Sequence, residues 1–290
     1  MRPLVLAIFG PTASGKTAVA EAVAERIPAE LVSADSMQVY RGLPVLSNQS
    51  EHPARLVGIW PLDNEASVAD YQQLAHEAID EILAAGRTPV VVGGTGLYLR
   101  AALSDLVIPP APAEGARERW EQVYDRLGPE GAHAELAERD PEAAVRVHAN
   151  DRRRVVRALE LSETGESLAG ESLWASDYRR PTLVFGLDVP DELVARRIEE
   201  RTRAMFERGV EEEVRAALEG PISSTARMMH GLRDIAELPR EEALETLITR
   251  TRRYAAYQRK WMRRIPGVVM VAAERPADEV ADEIVRVAAL

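Results

Sequence analysis

Eight residues near the start of the chain, Gly10-Pro11-Thr12-Ala13-Ser14-Gly15-Lys16-Thr17, fit the G-x-x-x-x-G-K-[ST] spacing that closes around phosphate. Glycines let the backbone wrap so that successive N–H groups point inward at phosphate oxygens. A helix opening at the end of the loop adds the positive end of its dipole. Lys16 places a full charge against the terminal phosphate, and the Thr17 hydroxyl is a ligand for Mg2+. This chemistry binds a phosphate or a diphosphate and does not specify ATP. Lysine occurs only at 16 and 260 in a chain whose other cations are all arginine, so Lys16 is not compositional drift.

Two further segments carry residues suited to the same crevice. Ser33-Ala34-Asp35-Ser36-Met37-Gln38 places an acid at the carboxyl end of a strand, where open α/β sheets bind their ligands. The plainer alternative is a turn aspartate satisfying backbone amides. Gly93-Gly94-Thr95-Gly96-Leu97-Tyr98 also follows a strand and opens a helix, and its plainer alternative is a tight turn with a capping threonine.

The elements that must position these residues follow from apolar periodicity. Leu4–Phe9, Leu31–Ala34, Pro89–Val92, Leu183–Val189 and Val268–Ala272 are short, continuous apolar runs of the kind buried on both faces of a parallel sheet, and Leu56–Trp60 is a candidate short strand. Helical spacing covers Ala18–Ile27, Val68–Ala85 (capped by Ser67 and closed by Gly86), Asp191–Arg208 and Ala277–Ala288. Strands alternating with helices predict an α/β doubly wound parallel sheet. After the break Pro109-Pro-Ala-Pro112 the pattern turns helical, over Ala113–Leu127, Gly131–Arg139, Pro141–His148 and Asp151–Thr164, and strands resume beyond Pro181. The expected division is a core of 1–112 and 179–290 interrupted by an all-helical insertion over 113–178.

Composition narrows the function classes. The 290 residues contain no cysteine, which excludes disulfides and thiolate zinc sites. The five histidines show no H-x-x-x-H pair, so no metal site is expected on them. No apolar run reaches membrane-spanning length, and Leu4–Phe9 is too short for a signal peptide, so a cytoplasmic protein with no membrane partner is expected. A net charge of −11 argues against nucleic-acid binding on average, but the average hides two basic runs. Arg250–Arg264 holds seven cations and no acid, and Arg152–Arg157 holds four and none. Each run alone reads as a solvated helix face; together they suit a phosphate backbone.

Taken in order, GPTASGKT, the strand end ADSMQVYRG and GGTGLYLRA resemble the bacterial tRNA dimethylallyltransferases. The resemblance continues through Asn150-Asp151 and the run Arg152–Glu160, through Arg197-Ile198-Glu199-Glu200-Arg201, and through Thr251 to Gln258, Trp261 and Arg263, so it spans nearly the whole chain. It implies a P-loop NTPase-like fold with an all-helical insertion. It also implies transfer of a dimethylallyl group from dimethylallyl diphosphate to N6 of adenosine 37, in the anticodon stem-loop of tRNAs reading codons that begin with U. N6 is a weak nucleophile, and the resemblance makes Asp35 its general base. Lys16, the loop amides of residues 10–17, Mg2+ at Thr17 and Arg201 would hold the leaving diphosphate, with Thr95 near the target base. Positions matching the family's tRNA contacts are Asp35, Ser36, Met37, Gln38, Thr95, Arg117, Arg153, Arg154, Arg157, Arg252, Gln258, Arg259 and Lys260. A monomer is the expected state.

The sequence departs from the family pattern in three places. Pro44–Gln49 replaces a stretch that carries a lysine and an acid, Ala256 and Tyr257 stand where basic residues are usual, and Gly231-Leu232 replaces a Gly-Tyr pair, with His230 before it. Competing readings are a free-nucleotide dimethylallyltransferase, a P-loop nucleotide kinase, and a binding protein without chemistry. A kinase calls for a short arginine-rich lid, far shorter than the insertion here.

Overall fold

The computed structural model describes residues 4–109, 113, 115–168 and 177–290. Most of the proline break at 109–112 lies outside them. In chain order the elements are β1 (Val5–Phe9), α1 (Lys16–Arg26), β2 (Ala29–Ser33), β3 (Ala54–Arg55), α2 (Val68–Ala84), β4 (Thr88–Gly93), α3 (Gly96–Leu103), α4 (Ala116–Arg139), α5 (Pro141–Arg146) and α6 (Arg152–Ser162). They continue with β5 (Thr182–Asp188), α7 (Asp191–Glu207), α8 (Val210–Leu218), α9 (Ser224–Arg227), α10 (Leu232–Glu237), α11 (Arg240–Met262), β6 (Val269–Ala272) and α12 (Ala277–Ala288). The chain divides into two compact units, one from Met1–Asp105 with Ser176–Leu290, the other from Leu106–Ala175.

The first unit is a six-stranded sheet in the order β3-β2-β4-β1-β5-β6, parallel throughout. β1 lies between β4 and β5, with Leu6 opposite Val90 on one side and Leu183 on the other. All five β1 residues are buried, as a parallel strand covered on both faces requires. On one face Leu6 and Ile8 join Val19 and Val23 of α1 and Val280 and Ile284 of α12 in a single core. Elsewhere Tyr71 of α2 stacks on Tyr98 of α3 at 4.2 Å and donates its hydroxyl to Ser33 O, at the end of β2. Ser67 accepts from Asp70 N at 3.0 Å and caps α2 as its sequence position predicts. The consequence for function is that the loops after β1, β2 and β4 leave the same edge of the sheet.

One expected strand is corrected. Leu56–Trp60 is not a strand; the strand is Ala54–Arg55, and Leu56 has φ 65, which ends extended backbone there. Trp60 makes only an isolated bridge with Tyr40. The short helices α8, α9 and α10 are not delimited by the sequence pattern.

The second unit is helical in all its assigned elements. α4 bends at Gly128 (φ 72, ψ 174), just before Pro129, where the sequence pattern also breaks. Asp140 and Asp151 accept from Ala143 N and Arg154 N and cap α5 and α6. Trp120, Tyr124, Leu136, Val155 and Leu159 form its core.

Candidate active site

The phosphate loop is built by the change from β1 to α1. Gly15 sits at the helix N-cap with φ 87, a conformation that costs a glycine little, and Val19 N donates to Gly15 O to start the helix. Lys16 is thus the first helical residue, and its Nζ reaches back to Pro11 O at 3.5 Å. The loop lines a cavity of about 900 Å³ together with Ser33, Asp35, Gln38, Arg201, Tyr254 and Gln258. Burial lowers the Lys16 ammonium to about 8; the Asp35 charge opposes that shift and the Arg201 charge reinforces it. Arg201, from α7, donates through Nη2 to Thr12 Oγ1 at 2.6 Å, while its Nε is buried with no partner among the described residues. Burial also lowers the Arg201 guanidinium, with Asp35 opposing. Two desolvated cations thus act on one carboxylate, Asp35, and one of their donors, Arg201 Nε, is buried without a partner among the described residues.

Asp35 follows the end of β2. Its Oδ1 accepts from Met37 N at 2.9 Å, and it makes no other hydrogen bond among the described residues. The turn role raised from sequence is therefore real, but it uses one carboxylate oxygen and leaves the other. Thr95 stands at the α3 N-cap without capping it. Its Oγ1 instead accepts from Ser36 N at 3.3 Å and lies 3.3 Å from Ser36 Oγ, which ties the β4 turn to the β2 turn. Gln38 accepts from Ser33 Oγ and donates toward the Ser47 and Asn48 carbonyls. The altered stretch 43–49 is packed: Leu43 and Leu46 are buried, and Val45 N and Leu46 N both donate to Glu213 of α8, at 2.7 and 2.8 Å.

One face of α11 completes the cavity. Leu247, Thr251, Tyr254 and Gln258 recur at helical spacing and all line it. Burial pushes the Tyr254 phenol up to about 12, with the Asp35 charge adding to it, and its hydroxyl faces Thr95 and Gln258. His230 stacks on the Tyr254 ring at 5.7 Å and bonds Thr251 Oγ1 at 2.9 Å; burial lowers its imidazole. Leu46, Met205 and Leu247 supply a buried apolar wall. Sequence reasoning did not single out Tyr254, Met205 or Leu247. The signal for the α11 residues was present, as positions three and four apart leading up to Gln258.

A family model described as "IPP transferase" matches residues 38–265, and one described as "Isopentenyl transferase" matches residues 3–59. The chain is 38% identical to the tRNA dimethylallyltransferase of Corynebacterium jeikeium (strain K411), over 95% of this chain and 93% of that one. The chain belongs to the tRNA dimethylallyltransferases. The corresponding protein of Streptomyces coelicolor is also 38% identical, over 92% of this chain and 89% of its own length. Among solved structures, the full-length tRNA isopentenylpyrophosphate transferase of Bacillus halodurans superimposes with a TM-score of 0.72 at 31% identity, covering 100% of this chain and 96% of that one. The activity is tRNA dimethylallyl transfer, and the free-nucleotide and kinase alternatives are not favoured.

For a tRNA dimethylallyltransferase, the fate of the basic residues matters. In the second unit Arg117 and Arg157 both bond the buried Glu160, each at 2.9 Å, while Arg153 and Arg154 are exposed. In the first unit Arg252 pairs with Glu199 and Lys260 is exposed. Two more of the expected RNA contacts are likewise engaged within the protein. Arg259 pairs with Asp191 at 3.0 Å and donates to Val189 O, and Gln258 is 3% exposed with its amide bonded to Thr12 N and Gly94 O. The run Arg250–Arg264, free of acids in sequence, is thus partly neutralised by acids from elsewhere, including Asp234 on Arg250. Among the described residues no three His, Asp or Glu side chains gather into a metal cage, and no helix is long and apolar enough to cross a membrane.

Proposed function

We propose that the protein transfers the dimethylallyl group of dimethylallyl diphosphate to N6 of adenosine 37, in tRNAs reading codons that begin with U. The observation that carries this reading is the pair of desolvated cations, Lys16 and Arg201, beside the half-engaged Asp35 in one cavity. A diphosphate is the anion that such a loop accommodates. The buried wall of Leu46, Met205 and Leu247 suits a five-carbon allyl chain.

N6 attacks C1 of the allyl group, the C1–O bond breaks, and its electron pair leaves with the diphosphate. The proton of N6 passes to the oxygen of Asp35 that Met37 N does not hold. Lys16, the loop amides and the spare Nε of Arg201 take up the charge that develops on the leaving oxygens. Thr95, on the β4 turn and tied to Ser36 of the β2 turn, is read as the residue beside the target base, and a base reaches such a crevice only when taken out of its stack. Mg2+ fits the donors available, because it binds through few protein oxygens and completes its octahedron with water and substrate phosphate; Thr17 would hold it. When bound it would supply further neutralisation of the diphosphate. The insertion, as the 113–178 segment, is read as a grip on the anticodon stem through Arg153 and Arg154. The protein is read as a cytoplasmic monomer.

The test is a transfer assay with Mg2+, labelled dimethylallyl diphosphate and either an anticodon stem-loop or AMP, for the native chain and Asp35→Ala. Label should appear on the stem-loop adenosine 37 alone. Asp35→Ala should lose transfer by roughly 10²–10⁴ while still binding inorganic diphosphate. Unchanged turnover in that variant would remove Asp35 as the base.

A further inference from the structure

We infer that Gln258 is a positioning residue for the diphosphate loop, and not a contact to the RNA. The inference rests on the diphosphate reading above and adds a residue to it. Gln258 lies on α11, is 3% exposed, and has both polar atoms of its amide engaged within the protein. Its Oε1 accepts from Thr12 N at 2.7 Å, and its Nε2 donates to Gly94 O at 2.8 Å. One amide therefore joins the loop after β1 to the turn after β4. The fit depends on residue type, since glutamate offers only acceptors when ionised and lysine only donors.

Two observations besides the hydrogen bonds support this. A Cβ at position 94 would collide with the Gln258 amide nitrogen, so the turn is shaped to let this side chain close. Thr12 is also held by α7, because its Oγ1 accepts from Arg201. The first residues of the phosphate loop are thus fixed by α11 through the backbone and by α7 through a side chain. Without Gln258, Thr12 N–H loses the partner it has among the described residues and the loop is held by α7 alone, so Gln258 acts on the diphosphate through the loop.

The experiment uses the full chain, inorganic diphosphate with Mg2+, and an unmodified anticodon stem-loop. Gln258→Met keeps the length and removes both hydrogen bonds. It should weaken diphosphate binding by about tenfold, while stem-loop affinity stays within about twofold. Gln258→Glu keeps the acceptor for Thr12 N but turns a second oxygen toward Gly94 O. Its deficit relative to the native chain should shrink as pH falls and the carboxyl gains a proton to donate, whereas the Gln258→Met deficit should not change with pH. A residue that served only to fill space would not produce that difference. Undiminished diphosphate binding in Gln258→Met overturns the inference, as does a loss confined to the stem-loop. If Gln258→Met does not fold, a pH-independent ratio of Gln258→Glu to native overturns it instead. Failure of the native chain to bind diphosphate overturns the reading on which the inference rests, and so can be told apart.

Discussion

In the crevice, burial pushes Lys16 down to about 8 and lowers Arg201; in the helical insertion, the hydrogen bond to Glu160 raises Arg117 and that to Asp125 raises Arg152. The one carboxylate whose charge acts on both crevice cations is Asp35. Three of the insertion's arginines are already matched, Arg117 and Arg157 on one buried glutamate and Arg152 on Glu121 and Asp125. The difference teaches how to separate a binding charge from a structural one. A cation left desolvated and under-paired in a cavity gains most from an incoming anion, because that anion relieves a cost already present in the fold. A cation whose partner is internal holds its own unit together.

The sharpest way to break the contrast is Arg201→Met. If Arg201 serves the leaving group, transfer should fall by about 10²–10³ in single-turnover assays while the urea midpoint barely moves. A stability loss with transfer retained would make Arg201 an ordinary structural arginine. The mirror experiment is Glu160→Gln in the insertion, which should cost about 2 kcal/mol in urea unfolding, with diphosphate binding unchanged. The cost stays below that of a fully buried broken pair because Arg117 and Arg157 are partly exposed and can turn to water.

Titration sharpens the comparison further. Lys16 is lowered relative to the unfolded chain, so the unfolded state binds more protons between about 8 and 10.5, and this group makes the free protein more stable as pH rises through that window. Diphosphate binding needs the charged ammonium, so affinity should fall by up to about tenfold per unit above pH 8, the opposite direction. Calorimetric titration from pH 7 to 9.5 checks both signs on one sample. The smallest expected effect is at the exposed pair Arg153 and Arg154. Replacing both by Ala should change stability by less than about 0.5 kcal/mol, yet lower the slope of log affinity against log salt for the stem-loop by about two.

The sequence by itself determined the phosphate loop, the buried parallel strands and the helical interruption, because each is written in local spacing. The G-x-x-x-x-G-K-T run, the apolar strands and the capping Ser67 all act through neighbours a few residues away. It also placed Asp35 and Thr95 correctly at strand ends. What it did not show is which oxygen of Asp35 a turn would occupy, or that Thr95 at a capping position would spend its hydroxyl on Ser36 and leave the helix uncapped. Nor did it show that Arg259 would be spent on Asp191, or that Gln258 would bridge two loops. Those outcomes belong to tertiary structure because their partners are far away in the chain. Thr12 and Gln258 are 246 residues apart, and only the closure of α11 against the carboxyl edge of the sheet brings an amide, a loop N–H and a turn carbonyl within hydrogen-bonding distance.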